Sequence, residues 1–138
     1  MKKVIFACTH SAGRSQMAAA FFNAGADPAK ARAVAAGTEP AERVHLEVAA
    51  AMGELGFDLS GARPQKLTAE LAADASLMIT MGCGEDCPYV PGLRVEDWAL
   101  DDPKGKPAEE VRRIRDVIRA RVQQLIAREA ARGDDPES

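Results

Sequence analysis

The stretch Cys8-Thr9-His10-Ser11-Ala12-Gly13-Arg14-Ser15 lies between two segments of different character. The apolar run Val4-Ile5-Phe6-Ala7 precedes it and predicts a buried strand, and the run that begins Gln16-Met17-Ala18 predicts a helix. The quoted residues are therefore predicted to form a loop from the carboxyl end of a strand to the start of a helix. This placement indicates an α/β domain, because units of strand, loop and helix build a parallel sheet.

A loop in this position suits the binding of a tetrahedral oxyanion. Its backbone N–H groups can turn toward the anion, and the dipole of the following helix adds partial positive charge. Arg14 can bind two anion oxygens at once through its guanidinium. The same positive field favours the thiolate form of Cys8, which makes that residue a candidate nucleophile. The alternative is a buried structural cysteine beside a surface arginine. The residues predicted to bind the anion are Thr9, His10, Ser11, Ala12, Gly13 and Arg14.

Length and composition fit one globular domain. The chain has 138 residues, of which 46% are hydrophobic and 28% charged. We expect a single catalytic domain over residues 1–132 and a polar, disordered tail over residues 133–138. A net charge of −3 argues against a nucleic-acid partner. No apolar stretch suits a signal peptide or a membrane span, so we expect the protein in the reducing cytoplasm. We also expect a monomer.

Periodicity and turn residues predict the remaining elements. Strands are expected near residues 3–7, 32–36, 76–81 and 93–98, and helices near 15–24, 44–55, 68–74 and from 107 onward. The fourth strand is expected to pack through Val95 and Trp98. The arginines of the last helix alternate with acidic residues and are interpreted as a solvated face. Its apolar stripe is Val111, Ile114, Ile118, Val122 and Leu125.

Cys83 and Cys87 follow the predicted strand at residues 76–81. They can be read as zinc ligands, as ordinary loop cysteines, or as a redox pair that exchanges disulfides with Cys8. A zinc site needs two further donors, and only Cys8, His10 and His45 remain as soft ones. The redox interpretation is favoured because parallel strands would bring both cysteine sites to one edge of the sheet.

The segment Asp101-Asp102-Pro103 follows the last predicted strand and is expected at the same edge. A carboxylate there can protonate a leaving oxygen while Cys8 attacks. An Asp-Pro turn without a catalytic role explains the position equally well.

From Val4 to about Leu125, the chain resembles the arsenate reductases built on the low-molecular-weight tyrosine phosphatase fold. The matching motifs are Cys8 to Ser15 with Gln16-Met17-Ala18, then Cys83 and Cys87-Pro88, then Trp98 ahead of Asp101-Asp102-Pro103. The resemblance implies a three-layer α/β sandwich. Its four-stranded parallel sheet would have the strand order 2-1-3-4, with helices on both sides.

The resemblance also implies a mechanism for arsenic detoxification. Cys8 would attack arsenate held by the loop amides and Arg14, with Ser15 supporting the thiolate and Asp102 protonating the departing oxygen. Cys83 would then attack the Cys8 sulfur and release arsenite, and Cys87 would attack Cys83. Thioredoxin would reduce the final disulfide, so neither a bound cofactor nor a metal is expected. The alternatives are a reductase that uses mycothiol, or glutathione with glutaredoxin, a tyrosine phosphatase, and a non-enzymatic sensor that binds an oxyanion through the same loop. The reductase is expected to have at most weak phosphatase activity.

Overall fold

A computed structural model describes residues 2–82 and 90–132, with side chains as far as residue 130. Strands and helices follow one another as the sequence predicts. The tail at residues 133–138, predicted to be disordered, lies outside the described residues. The elements are β1 (Lys2–Cys8), α1 (Arg14–Gly25), β2 (Ala31–Gly37), α2 (Leu46–Gly53), α3 (Ala69–Ala72), β3 (Leu77–Thr80), β4 (Arg94–Asp97) and α4 (Ala108–Arg132).

The four strands form one parallel sheet in the order β2-β1-β3-β4, which confirms the predicted topology. At the carboxyl edge, Cys8 is in register with Gly37, and Ala7 is in register with Thr80. The loops that leave β1, β2 and β3 therefore start beside one another. Ligands of open α/β sheets bind at this edge.

The side chains of β1 alternate between two apolar clusters. Val4 and Phe6 pack into the larger cluster with α1, α2 and α4, whereas Ile5 and Ala7 pack into a smaller one that includes Ala72 of α3. The sheet is thus the middle layer of three. In the described part of the chain, no helix is long and apolar enough to cross a membrane.

The predicted stripe of α4 is buried in the larger cluster, and all five of its residues are at most 2% exposed. Trp98 is also buried, with its ring 5.9 Å from that of Phe6. The prediction for Val95 was wrong, because this side chain is 53% exposed. Val95 is in register with Met78, and the four-residue α3 covers that face of the sheet only in part.

One arginine of α4 is not on a solvated face. Arg115 is 8% exposed and donates hydrogen bonds to the Ala51 carbonyl at 2.8 Å and to Glu54 at 2.9 Å. Arg112 binds the same carboxylate at 2.7 Å. Hydrogen bonds from Arg112 and Arg115 hold the pKa of Glu54 at about 2. These ion pairs join α4 to the end of α2, which explains the burial of Arg115.

Candidate active site

The carbonyl groups of the loop after β1 all point outward. We call residues 8–14 the anion loop. The carbonyls of residues 8–13 accept hydrogen bonds of 2.8–3.2 Å from groups outside it. Because N–H and C=O of a trans peptide point in opposite directions, the N–H groups of residues 9–14 turn away from these donors. The donors, in order, are the N–H groups of Thr38, Glu39 and Ala41, the side chain of Gln16, and the N–H groups of His45 and Met17.

Most of those donors belong to the segment after β2, which lies directly against the anion loop. Gly37 makes this approach possible. A Cβ atom at Gly37 would lie 2.6 Å from the Thr9 carbonyl oxygen and 3.0 Å from the Ser11 nitrogen. The outward carbonyls, and so the inward N–H groups, depend on a glycine at this position.

Cys8 is 3% exposed, and hydrogen-bond donors surround its sulfur. The Ser11 N–H donates to Sγ at 3.2 Å, and the Ser15 hydroxyl lies 3.1 Å from Sγ. When the sulfur is ionised, Ser15 is the donor of that bond. The first turn of α1 carries no acidic residue that would offset its dipole. Together these features direct hydrogen-bond donors and the positive end of a helix dipole at the sulfur.

A chain of polar side chains continues behind the sulfur. The Ser15 hydroxyl lies 3.0 Å from the Ser11 hydroxyl. Gln16 Nε2 donates to the Ser11 carbonyl at 2.9 Å and to the Ser11 hydroxyl at 3.3 Å. Ser11 itself has a φ of 51°, in the left-handed region. Gln16 had no predicted role. The apolar pattern of the helix gave no signal for it, because Met17, Phe21 and Phe22 lie on a different face.

Arg14 lies between the anion loop and two neighbouring segments. Its Nη1 donates to the Leu100 carbonyl at 3.2 Å, and its Nη2 is 3.7 Å from Asp102 Oδ2. Gly82 packs on the guanidinium, since a Cβ atom there would lie 2.7 Å from Nη1. The Thr9 hydroxyl donates to the Gly82 carbonyl at 3.2 Å. Gly82, at the start of the segment after β3, therefore contacts both ends of the anion loop.

The two adjacent aspartates have different partners. Asp101 binds Arg113 at 2.8 Å, and that hydrogen bond lowers the pKa of Asp101. Asp102 instead faces Arg14 and accepts the Lys104 N–H at 3.0 Å. The following Pro103 packs on the loop, with its Cγ 2.9 Å from where a Cβ of Gly13 would be. Of the two carboxylates, Asp102 is the one at the anion loop.

The remaining loop side chains shape the site. His10 Nδ1 lies 3.0 Å from the Glu39 carbonyl oxygen. Because a carbonyl oxygen can only accept, Nδ1 is the donor of this hydrogen bond. Ala12 is 1% exposed and belongs to the core. In residues 2–82 and 90–132, no group of three or more His, Cys, Asp or Glu side chains could hold a metal.

Cys83 and Cys87 lie outside the described residues. The preceding residue, Gly82, is described and lies against Arg14. The structure thus brings Cys8, Arg14, Ser15 and Asp102 together.

Comparisons with known proteins relate the chain as a whole to a family and to individual relatives. The model of the family "Low molecular weight phosphotyrosine protein phosphatase" matches residues 3–134. The glutaredoxin arsenate reductase of a Synechocystis species is 38% identical over 131 residues, which span 93% of this chain and 98% of that protein.

Two solved structures extend the comparison. A thioredoxin-dependent arsenate reductase of Corynebacterium glutamicum is 34% identical, with a TM-score of 0.77; the match spans 91% of this chain and 60% of that one. An arsenate reductase in a phosphate-binding state is 35% identical, with a TM-score of 0.76; the match spans 93% of this chain and 98% of that one.

Proposed function

This chain belongs to the low molecular weight phosphotyrosine protein phosphatase family, and from that premise we propose that it is an arsenate reductase. The observation that carries the proposal is the anion loop. Its carbonyls are all bonded outward, and the Cys8 sulfur lies within hydrogen-bond distance of Ser11 N–H and Ser15. Such a site can hold a tetrahedral oxyanion against a thiolate. The names of the relatives support arsenate as that oxyanion.

In the first step, the Cys8 thiolate attacks arsenic while the loop N–H groups and Arg14 hold the oxyanion. Ser15 donates a hydrogen bond to the sulfur before the attack. Asp102 gives a proton to the departing hydroxyl group of arsenate, which leaves as water. The 3.7 Å between Asp102 and Arg14 supports this role, because it puts the carboxyl beside the group that binds the anion.

In the second step, the Cys83 thiolate attacks the Cys8 sulfur. The sulfur–arsenic bond breaks, and its electron pair stays with arsenic. Arsenic(V) thereby becomes arsenic(III), and the two thiols become one disulfide. Cys87 then attacks Cys83 and frees Cys8 for another cycle. The position of Gly82 against Arg14 supports the assignment, because it fixes the start of the Cys83 segment beside the anion loop.

We propose thioredoxin as the protein that reduces the Cys83–Cys87 disulfide. The presence of a second cysteine after Cys83 supports this route, as does the thioredoxin-dependent relative. The glutaredoxin-type relative supports the other route, in which a small thiol takes the place of Cys87. One assay separates the two.

The assay measures arsenate-dependent oxidation of NADPH by the wild type and by Cys87→Ser. One arm contains thioredoxin and thioredoxin reductase, and the other contains glutathione, glutaredoxin and glutathione reductase. Turnover of the wild type in the first arm only, lost in Cys87→Ser, supports the proposal. Equal turnover of both proteins in the second arm identifies the small-thiol route.

Hydrolysis of p-nitrophenyl phosphate by the wild type and Cys83→Ser tests the phosphatase alternative. Phosphatase chemistry needs Cys8, Arg14 and Asp102 but not Cys83. A protein that hydrolyses the ester in both forms and reduces arsenate in neither arm is a phosphatase, and the reductase proposal would then be wrong.

A further inference from the structure

Gln16 donates hydrogen bonds to both the backbone and the side chain of Ser11, the residue whose N–H binds the Cys8 sulfur. Gln16 is 7% exposed on the first turn of α1. Of the six outward carbonyls of the anion loop, only that of Ser11 is bonded by a side chain, and the donor is Gln16. The same amide nitrogen also donates to the Ser11 hydroxyl, at 3.3 Å.

The chemistry of an amide gives this chain of hydrogen bonds a direction. The amide nitrogen of Gln16 can only donate, so the Ser11 hydroxyl accepts from it and directs its own proton elsewhere. The neighbouring acceptor is Ser15 Oγ at 3.0 Å. With that oxygen already accepting, the Ser15 proton points to the Cys8 sulfur 3.1 Å away. Every bond in the series then donates toward the sulfur, which is the polarity that stabilises a thiolate.

We propose that Gln16 is a positioning residue that orients the Ser11 and Ser15 hydroxyls toward Cys8 and so maintains its thiolate. The inference deepens the proposed function, since it rests on Cys8 being the nucleophile. It does not depend on the oxyanion being arsenate. Gln16 touches neither the sulfur nor the anion directly, and it acts through Ser11 and Ser15.

The test compares two matched substitutions on α1. In Gln16→Glu, a carboxylate of nearly the same shape can only accept hydrogen bonds. The Ser11 hydroxyl then donates to this carboxylate and no longer to Ser15, so the Ser15 hydroxyl is no longer directed to the Cys8 sulfur. Asn23→Asp is the control, because the Asn23 amide likewise donates to a backbone carbonyl, that of Ala33, but on β2. Both changes replace an amide by a carboxylate. Gln16→Glu removes two donated hydrogen bonds, and Asn23→Asp removes one.

The measurement is the ultraviolet absorbance of the Cys8 thiolate as a function of pH. All proteins carry Cys83→Ser and Cys87→Ser, which leaves Cys8 as the only thiol of the three in the chain. For Gln16→Glu we expect the ratio of thiolate to thiol to fall about fivefold at a given pH, the effect of one lost hydrogen bond. Asn23→Asp should keep the profile of its parent. A folded Gln16→Glu with an unchanged profile would overturn the proposal, whatever the protein does with arsenate.

Gln16→Met provides a second test, which avoids the new charge and holds even if Gln16→Glu fails to fold. The thiolate absorbance of Gln16→Met is measured both in the parent protein and in a protein that also carries Ser15→Ala. If Gln16 acts through Ser15, the methionine lowers the thiolate ratio only when Ser15 is present. An equal effect in both backgrounds would mean that Gln16 acts on the site in another way, and the proposed role would be wrong.

Discussion

Ser11 is the only non-glycine residue in the described part of the chain with a positive φ, at 51°. A side chain in this region is disfavoured by about 1–3 kcal/mol. The conformation turns the Ser11 N–H to the Cys8 sulfur while its carbonyl points to Gln16. The strain thus lies at the residue that donates to the Cys8 sulfur, and the hydrogen bonds of its N–H and carbonyl groups maintain it.

The pair of aspartates leads to the first prediction at the residue scale. Asp102→Asn should lower the turnover of arsenate about a hundredfold, since it removes the carboxyl beside Arg14 that we propose as the proton donor. Asp101→Asn is the matched control. It removes an exposed ion pair with Arg113 and should change turnover little. Steady-state kinetics at saturating arsenate measures both, and equal turnover by the two variants would contradict the role of Asp102.

Gly82 leads to the second prediction at this scale. In Gly82→Ala, the new Cβ would meet Arg14 Nη1 at 2.7 Å and displace the guanidinium. We expect phosphate to bind about tenfold to a hundredfold more weakly, because its charge-assisted bonds to Arg14 are misaligned. Calorimetric titration with phosphate measures the change.

The control for Gly82→Ala is Gly92→Ala. The two glycines have φ values of +111° and +82°, so both alanines strain the backbone. Nothing lies within 4 Å of a Cβ at Gly92. If the two variants bind phosphate alike, the contact of Gly82 with Arg14 does not position the guanidinium.

At the scale of the elements, ion pairs attach α2 to α4, and α2 in turn supports the anion loop. The His45 N–H, just before α2, binds the Ala12 carbonyl, and the Val48 side chain lies 3.6 Å from where a Cβ of Gly13 would be. Glu54, just after α2, binds Arg112 and Arg115 of α4. The two ends of one short helix therefore connect the site to the longest helix described.

The pKa of Glu54 predicts how this attachment responds to acid. Its value of about 2 in the folded protein lies below its ordinary value of 4.5. The stability contributed by Glu54 is therefore complete above about pH 4.5 and is lost as the pH falls toward 2. Urea unfolding of the wild type and Glu54→Gln should differ at pH 7 and converge near pH 2. Glu70→Gln, an exposed carboxylate on α3, controls for the removal of one negative charge. A difference that does not shrink in acid would contradict this assignment.

At the scale of the whole molecule, α4 closes the larger apolar cluster, and two adjacent residues test its contribution. Ile118 is 0% exposed and Val117 is 39% exposed. Ile118→Ala should lower the free energy of unfolding by about 2–5 kcal/mol, through lost burial and a new cavity. Val117→Ala should change it by less than about 1 kcal/mol. Urea denaturation measures both, and similar losses would mean that the stripe does not hold α4 to the sheet.

The sequence was sufficient for the features that depend on local pattern. The apolar run before Cys8 and the stripe of α4 carry clear periodicity, and the strand order followed from resemblance to a family. Tertiary contacts decided the rest. Val95 fits a strand pattern, but α3 is too short to cover it, and Arg115 lies off the apolar stripe yet is buried against α2.

The residues of the site likewise fall into those that local sequence predicted and those that only tertiary contacts revealed. Position in the sequence indicated Cys8 and Arg14, because a strand end and a helix start are local features. Adjacent aspartates cannot be told apart by position, and only the contact of Asp101 with Arg113 left Asp102 at the loop. The part played by Gln16 depends on the left-handed turn at Ser11, which brings the serine carbonyl and hydroxyl to one amide.

The outward carbonyls of the anion loop have a consequence for the choice between chemically similar anions. A lining of backbone N–H groups recognises charge and tetrahedral shape, and arsenate shares both with phosphate. In the proposed mechanism, discrimination between them then arises after capture, when a thiol reduces the central atom from the +5 to the +3 state, because phosphorus(V) is not reduced by thiols. On this view phosphate occupies the protein without being consumed. Resistance to arsenate should therefore weaken as the phosphate concentration in the cell rises, even though the enzyme itself is unchanged.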